Sequence, residues 1–178
     1  MSLPLRSLAN GLTIARAVAG LPLILALQVG LLPLAWWLLL MAGLSDAADG
    51  WLARRAGGGS SWGARLDPLT DKVLIAAPLL WLASTETLPL CAVWLLLARE
   101  LLISGWRAQA GDGGPASLTG KAKTVLQFLA LLLMLWPPAW SGHQQLVVVG
   151  WWLFWPSLLL ALRSAVGYIK PRSRPHQR

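Results

Sequence analysis

The stretch that decides the fold is Ala17–Ser45, AVAGLPLILALQVGLLPLAWWLLLMAGLS, which runs for 29 residues without a charged side chain. One helix of that length would measure about 43 Å, well beyond the roughly 30 Å hydrocarbon core of a bilayer. Gly30 and Pro33 lie near its middle, and such residues favour a turn. The stretch therefore predicts two helices, at about Leu12–Val29 and about Pro33–Arg55.

The apolar character continues through the rest of the 178-residue chain. Hydrophobic residues make up 56% of it and charged residues 12%, about half the charged fraction of soluble domains. Four more apolar runs follow, at Val73–Ser84, at Leu88–Leu97 with its continuation past Arg99 and Glu100, at Val125–Trp136 and at Leu146–Leu162. We expect an all-α polytopic membrane protein with six transmembrane helices. It would form one domain over residues 1–178, with a juxtamembrane segment at 1–11 and a basic cytoplasmic tail at 170–178.

The basic residues predict the topology. Lys and Arg number 15 against 7 Asp and Glu, for a net charge of +8. With six spans, three of the loops, at Gly30–Pro33, Ser84–Pro89 and Pro137–Gln145, contain no Lys or Arg. All the basic residues then lie towards one side, and this positive-inside pattern predicts that both termini are cytoplasmic. Because the basic residues punctuate apolar runs, we expect the lipid bilayer as a partner and no nucleic acid.

Four of the seven acidic residues fall within 26 residues of each other. They form two pairs, each on one helical face with small residues, because the spacings are three or four positions. The first face carries Asp46, Asp49, Gly50 and Ala53, and the second carries Gly63, Asp67 and Asp71. Charges at membrane depth cost about 2.5–3.5 kcal/mol each, and converging carboxylates repel one another. Divalent cations relieve both costs, and oxygen ligands favour Mg²⁺ or Mn²⁺. The alternative is a solvated loop whose acids pair with nearby Arg and Lys.

Eight residues at fixed spacing then carry a resemblance to a known family. They are Asp46, Asp49, Gly50, Ala53, Arg54, Gly63, Asp67 and Asp71. They match the signature D-x2-D-G-x2-A-R-x8-G-x3-D-x3-D of the CDP-alcohol phosphatidyltransferase family at every fixed position. The resemblance implies a six-helix membrane enzyme that forms homodimers. It also implies that an acceptor hydroxyl attacks the β-phosphorus of a CDP-linked lipid and releases CMP.

The resemblance also implies a role for each of these residues. Two Mg²⁺ or Mn²⁺ ions would be held by Asp46, Asp49, Asp67 and Asp71. The CDP-lipid would be bound by Asp49, Gly50, Ala53, Arg54 and Gly63. Asp71 would be the catalytic base that takes the proton of the acceptor hydroxyl.

Three further segments bear on the acceptor, because they resemble the phosphatidylglycerolphosphate synthases within that family. The first is Asn10–Thr13 with Arg16, and it is preceded by Ala9 where those enzymes usually have proline. The second is Ala98–Glu100 with Ser104 and Arg107, and the third is Gly120–Thr124 with Gln127. The resemblance implies CDP-diacylglycerol as donor and sn-glycerol 3-phosphate as acceptor. Cations suited to the acceptor phosphate are Arg99, Lys121 and Lys123. For the lysines the alternative is anchoring at the membrane surface, and for Arg99 it is an internal pair with Glu100.

Other functions stay open on the sequence alone. A cardiolipin synthase of the same superfamily would use phosphatidylglycerol as acceptor, and inositol-phosphate and serine transferases are more distant alternatives. A divalent-cation transporter, from a different class, would need acids spread over several helices, whereas the last two predicted helices are nearly devoid of them. We expect a bacterial inner-membrane enzyme whose active site faces the cytoplasm.

Overall fold

The computed structural model describes residues 18–55, 63–110 and 118–169, with side chains at all of these positions except 47, 49–55, 63–71, 107–110, 118–121 and 166–169. In these ranges the chain forms six helices. They are α1 (Val18–Gln28), α2 (Leu32–Arg55), α3 (Gly63–Ser84), α4 (Leu90–Ala110), α5 (Leu118–Met134) and α6 (His143–Ile169). The prediction of an all-α chain with six helices is confirmed. The predicted terminal segments at 1–11 and 170–178 lie outside the described residues.

The break predicted in the long apolar stretch is present between α1 and α2. Gly30 has a φ of +77°, a left-handed conformation that glycine adopts without steric cost. The amide of Gly30 donates to the carbonyl of Leu27 at 3.2 Å, and that of Leu31 to Ala26 at 2.8 Å. This pair of bonds is a Schellman motif, which satisfies carbonyls at the end of a helix. Glycine is therefore the residue that ends α1 and lets α2 start.

The helices pack most closely where glycine removes a side chain. α5 packs along α6, and α4 packs against α3 and α6. A Cβ built on Gly150 of α6 would lie 2.8 Å from the carbonyl oxygen of Ala130 and 2.8 Å from the amide nitrogen of Met134. Both atoms belong to the α5 backbone, so the two helices touch backbone to backbone at this glycine.

α2 and α5 run antiparallel, and two contacts fix their register. The indole nitrogen of Trp36 donates to the carbonyl of Leu132 at 2.9 Å. Seven residues further along α2, a Cβ on Gly43 would overlap the ring of Phe128. Residues further along α2 thus contact residues nearer the start of α5, as expected for antiparallel helices.

Many large apolar side chains are exposed in the part of the chain that the structure describes. Large apolar side chains are exposed along α4, for example Leu90, Trp94 and Leu102, which are 65–72% exposed. Within the described residues, one helix is long and apolar enough to cross a membrane, namely His143–Ala165 in α6 with 23 residues. Four other apolar helical segments are shorter, with 10–17 residues each. The helix count is confirmed, whereas the crossing of a membrane by all six helices stays a prediction.

One end of the bundle is closed by aromatic rings, which we call the tryptophan cluster: Trp36, Trp37, Trp136 and Trp140. Their ring centroids lie 5.1–6.3 Å apart in edge-to-face arrangements, the geometry that aromatic pairs prefer. The cluster joins the beginning of α2 to the loop between α5 and α6. Nδ1 of His143 lies 2.6 Å from the carbonyl oxygen of Trp136 and ties the start of α6 to the same loop.

Candidate active site

The predicted carboxylates lie on α2 and α3. The backbone is helical at Asp46 and Asp49 on α2 and at Asp67 and Asp71 on α3, so each pair shares a helical face. The side chain of Asp46 is exposed, and the side chains of the other three lie outside the described part. No group of three His, Cys, Asp or Glu that could hold a metal occurs among the side chains that are described. Because three of the four acids are not in that set, the metal cluster stays a prediction.

The other residues predicted to bind the CDP-lipid are known here by their backbone alone. Gly50, Ala53 and Arg54 lie in the last part of α2, and Gly63 is the first residue of α3. Lys121 lies in the first turn of α5, and its side chain too is outside the described part. Their roles stay predictions.

The register of α2 against α5 brings the first acid towards the start of α5. Asp46 follows Gly43 by three residues, about 4.5 Å along the helix axis. Gly43 faces Phe128, and the helices are antiparallel. The backbone of Asp46 therefore lies near the level of the α5 turn that contains Thr124. The acids of α2 lie at the end of the bundle opposite the tryptophan cluster.

A cavity of about 140 Å³ lies at this end between α3, α4 and α5. We call it the charged cavity, and it is lined by Lys72, Ile75, Leu97, Glu100, Lys123, Thr124 and Gln127. This volume has room for several water molecules or one small polar solute. Lys72 directly follows Asp71 in the sequence, and Ile75 lies one helical turn after Asp71. The face of α3 that carries Asp67 and Asp71 thus continues into the wall of the cavity.

A network of charged hydrogen bonds connects this cavity to α6. Oε1 of Glu100 accepts from Nζ of Lys123 and, at 2.7 Å, from Nη1 of Arg99. Arg99 also donates from Nε to the carbonyl of Ala161 at 2.8 Å and from Nη2 to Oγ of Ser164. Arg99 and Lys123 are 8% and 7% exposed. Three helices therefore share one ionic network, with Glu100 at its centre.

The structure shows the side chains of two of the three cations that the sequence predicts for the acceptor phosphate. Lys123 lines the charged cavity. Arg99 lies behind Glu100 and makes the internal pair that the sequence left open as an alternative. Direct contact of either residue with a phosphate stays a prediction.

Sequence reasoning missed two members of this site. Glu100 belongs to the Ala98–Glu100 segment, but nothing in the segment indicates that its carboxylate bridges two cations. Ser164 lies 65 residues from Arg99 along the chain, in a helix whose sequence shows only apolar character and a basic tail. Its role depends on the packing of α6 against α4, which no local pattern reveals.

The donor chemistry at this end fits a divalent cation. The four predicted ligands are all carboxylates, which suit hard cations such as Mg²⁺ and Mn²⁺. They occupy faces of α2 and α3 that also carry glycine and alanine, which leave room beside the helix backbone. The chain has the residues that such a site needs.

An exposed apolar surface, together with an ionic cavity next to the helical segments that carry the signature acids, indicates a membrane enzyme that handles phosphates. The chain belongs to the CDP-alcohol phosphatidyltransferase family, whose model matches residues 6–163. The resemblance inferred from the eight signature residues is thereby confirmed.

Individual relatives narrow the comparison within the family. The chain is 32% identical over 171 residues to the CDP-diacylglycerol–glycerol-3-phosphate 3-phosphatidyltransferase of Rickettsia felis, covering 93% of this chain and 94% of that protein. It is 34% identical over 171 residues to the probable phosphatidylglycerophosphate synthase of Mycobacterium tuberculosis, covering 92% of this chain and 80% of that protein. It is also 34% identical over 140 residues to the CDP-diacylglycerol–glycerol-3-phosphate 3-phosphatidyltransferase of Shigella flexneri, covering 72% of each.

Proposed function

We propose that this chain transfers the phosphatidyl group of CDP-diacylglycerol to sn-glycerol 3-phosphate, giving phosphatidylglycerol phosphate and CMP. The observation that carries the proposal is the position of the charged cavity. Its wall begins at Lys72, the residue after Asp71, and contains Lys123 from α5. A cation-lined cavity beside the signature acids suits an acceptor that carries a phosphate. The relatives from Rickettsia felis and Shigella flexneri are named for the same pair of substrates.

The donor side of the site consists of the signature residues. Asp46, Asp49, Asp67 and Asp71 would hold two divalent ions, which when bound neutralise the pyrophosphate charge of the donor. The guanidinium of Arg54 would bind a donor phosphate, and its planar fork suits phosphate oxygens. Space for the nucleotide would be left at three further positions that have no large side chain, namely Gly50, Ala53 and Gly63.

The acceptor side consists of basic residues. Lys121 and Lys123 lie near the beginning of α5, where unpaired backbone N–H groups and the helix dipole also favour an anion. Arg99 adds a third positive charge behind Glu100. A neutral acceptor such as serine or free inositol would not require this concentration of cations.

The reaction is an in-line displacement. Asp71 takes the proton from the acceptor hydroxyl as its oxygen attacks the β-phosphorus. A new oxygen–phosphorus bond forms, and the bond from that phosphorus to the oxygen of the CMP phosphate breaks. CMP leaves with the electron pair of that bond. The cations at Lys121 and Lys123 hold the acceptor phosphate so that its hydroxyl points towards Asp71, and such positioning lowers the barrier of phosphoryl transfer.

We further propose the arrangement of this enzyme in the membrane. Six helices would cross the bilayer, with both termini and the charged cavity on the cytoplasmic side of a bacterial inner membrane. The turns at 29–31, 85–89 and 135–142 support this orientation because they contain no Lys or Arg. The chain would act as a homodimer, as the family resemblance implies.

An acceptor panel tests the function directly. The full chain in detergent micelles receives CDP-diacylglycerol and Mg²⁺ with one acceptor at a time, namely glycerol 3-phosphate, phosphatidylglycerol, inositol phosphate or serine, and CMP release is measured. We expect release with glycerol 3-phosphate at a rate at least about tenfold above the others. Serine has no phosphate, and a site built for a charged group rejects an analogue that lacks it; inositol phosphate and phosphatidylglycerol carry a phosphate but are larger than the acceptor for which we propose the cavity. Preferential release with phosphatidylglycerol would instead assign a cardiolipin synthase. No release with any acceptor, together with metal flux into liposomes, would assign a transporter.

A further inference from the structure

Glu100 holds a position that the reaction described above does not use. Its Oε1 accepts from both Lys123 and Arg99, and Glu100 itself lines the charged cavity. An acidic residue beside a phosphate site opposes anion binding by charge alone. Its presence there calls for a function other than charge.

The contacts behind Glu100 form a continuous chain to α6. Ser164 accepts from Nη2 of Arg99, and the carbonyl of Ala161 accepts from Nε of the same guanidinium. Two bonds to α6 fix the plane of the guanidinium, because its N–H groups form a rigid fork. The guanidinium fixes Glu100, and Glu100 then fixes the ammonium of Lys123. A lysine side chain has four rotatable bonds, and anchoring it reduces the entropy lost when a ligand binds.

We propose that Glu100 is a positioning residue, which with Arg99 and Ser164 forms a relay that holds Lys123 ready for the acceptor phosphate. The proposal deepens the function proposed above and rests on it, since it assigns Lys123 to the acceptor. Arg99 then acts on the cavity through Glu100. Truncating the relay at its far end should disturb the acceptor site without any change to a residue that lines the cavity.

The charge of Glu100 gives a test that depends on sign. Glu100→Gln keeps the size of the side chain but removes its negative charge, so the cavity becomes more positive. If Glu100 were only a counter-ion, this variant would bind phosphate more tightly. Positioning predicts the opposite, namely an acceptor KM raised about tenfold, because the bonds to two cations lose their charge assistance.

Ser164 provides the second variant, with a matched control on the same helix. Ser164→Ala removes the hydroxyl that accepts from Arg99, and Ser164→Thr keeps a hydroxyl. Ser157 is also buried on α6, and its Oγ donates to the carbonyl of Phe154 at 2.7 Å within its own helix. We expect Ser164→Ala to raise the acceptor KM about threefold, the effect of one modest hydrogen bond. Ser164→Thr should restore the KM, and Ser157→Ala should leave it unchanged.

The experiment combines steady-state kinetics with direct binding on the full chain in micelles. Each variant is assayed for the KM of both substrates, for thermal stability, and for the Kd of inorganic phosphate by isothermal titration calorimetry. The proposal requires that Glu100→Gln and Ser164→Ala weaken phosphate and acceptor binding while the KM of the CDP-lipid stays constant. Tighter phosphate binding in Glu100→Gln would overturn it, as would equal changes in both KM values. If wild type binds phosphate but does not use glycerol 3-phosphate, the proposed function fails, and the Kd series still decides the relay.

Discussion

Each end of the bundle connects α5 to another helix, α2 at the tryptophan cluster and α4 at the charged cavity, and the two ends do so by different chemistry. At the tryptophan cluster, indole rings meet edge to face and Trp36 donates to the backbone of α5. At the charged cavity, Glu100 bridges Arg99 and Lys123. The contact of Trp36 at Leu132 and the position of Lys123 are nine residues apart on α5, about 14 Å along its axis.

We infer from this difference that one end of α5 contributes to stability and the other end to function. Rings and backbone bonds at the tryptophan cluster need no ligand, so their loss should cost folding energy alone. The charged cavity contains cations, a carboxylate and open space, an arrangement that is useful when a ligand arrives. Changes at the two ends should therefore affect different measurements.

Removal of divalent metal should have the largest effect, and only at the charged end. Exhaustive chelation of the micellar enzyme should reduce CMP release below detection, because the clustered acids cannot neutralise the donor pyrophosphate. Mg²⁺ or Mn²⁺ should restore it. The helix content of the chelated protein, measured by circular dichroism, should stay at its value with metal, because the tryptophan cluster involves no metal. Full activity after chelation would show that the reaction needs no divalent metal.

Asp71→Asn should come next, because it removes the proposed base while keeping the size of the side chain. Loss of a general base lowers kcat by about 10²–10⁴-fold. The thermal midpoint should match wild type, and binding of the CDP-lipid should persist. Turnover within a few fold of wild type would exclude Asp71 as the base.

Gly150→Ala tests the packing that supports both ends. The added methyl group would meet the α5 backbone at 2.8 Å, and overpacking of this kind costs about 1–3 kcal/mol. Gly105 on α4 is the control, because a Cβ there has nothing within 4 Å, and alanine favours an exposed helix by roughly 0.5–1 kcal/mol. We expect a lower midpoint of thermal unfolding for Gly150→Ala and an equal or higher one for Gly105→Ala. Equal midpoints for both variants would contradict the close approach of α5 and α6.

Trp36→Phe should have the smallest effect and should alter stability alone. It removes the donor to the carbonyl of Leu132 at a cost of about 1 kcal/mol. Trp94→Phe is the control, since Trp94 is 65% exposed on α4. Both KM values should remain at the wild-type level in each variant. A changed acceptor KM in Trp36→Phe would show that the two ends are coupled.

The sequence predicted much of this fold for physical reasons that can be traced to particular residues. Uncharged runs and the Gly30–Pro33 break predicted the helices, because glycine and proline act locally on the backbone. The signature spacing predicted which faces of α2 and α3 carry the acids, since helical periodicity is also local. The bridging carboxylate of Glu100 and the bond from Arg99 to Ser164 could not be predicted. They arise when α4, α5 and α6 pack together, and such contacts between distant residues leave no periodic trace in one sequence.

The most direct test of the account is the effect of Lys123→Ala on the two substrates, each varied separately in micelles. A charge-assisted hydrogen bond contributes roughly 1.5–3 kcal/mol, so the KM of glycerol 3-phosphate should rise about ten- to a hundredfold while that of CDP-diacylglycerol changes little. Arg163→Ala removes a positive charge from an exposed position of α6 and should leave both values unchanged. An unchanged acceptor KM with weaker binding of the CDP-lipid would contradict the assignment of the charged cavity to the acceptor phosphate.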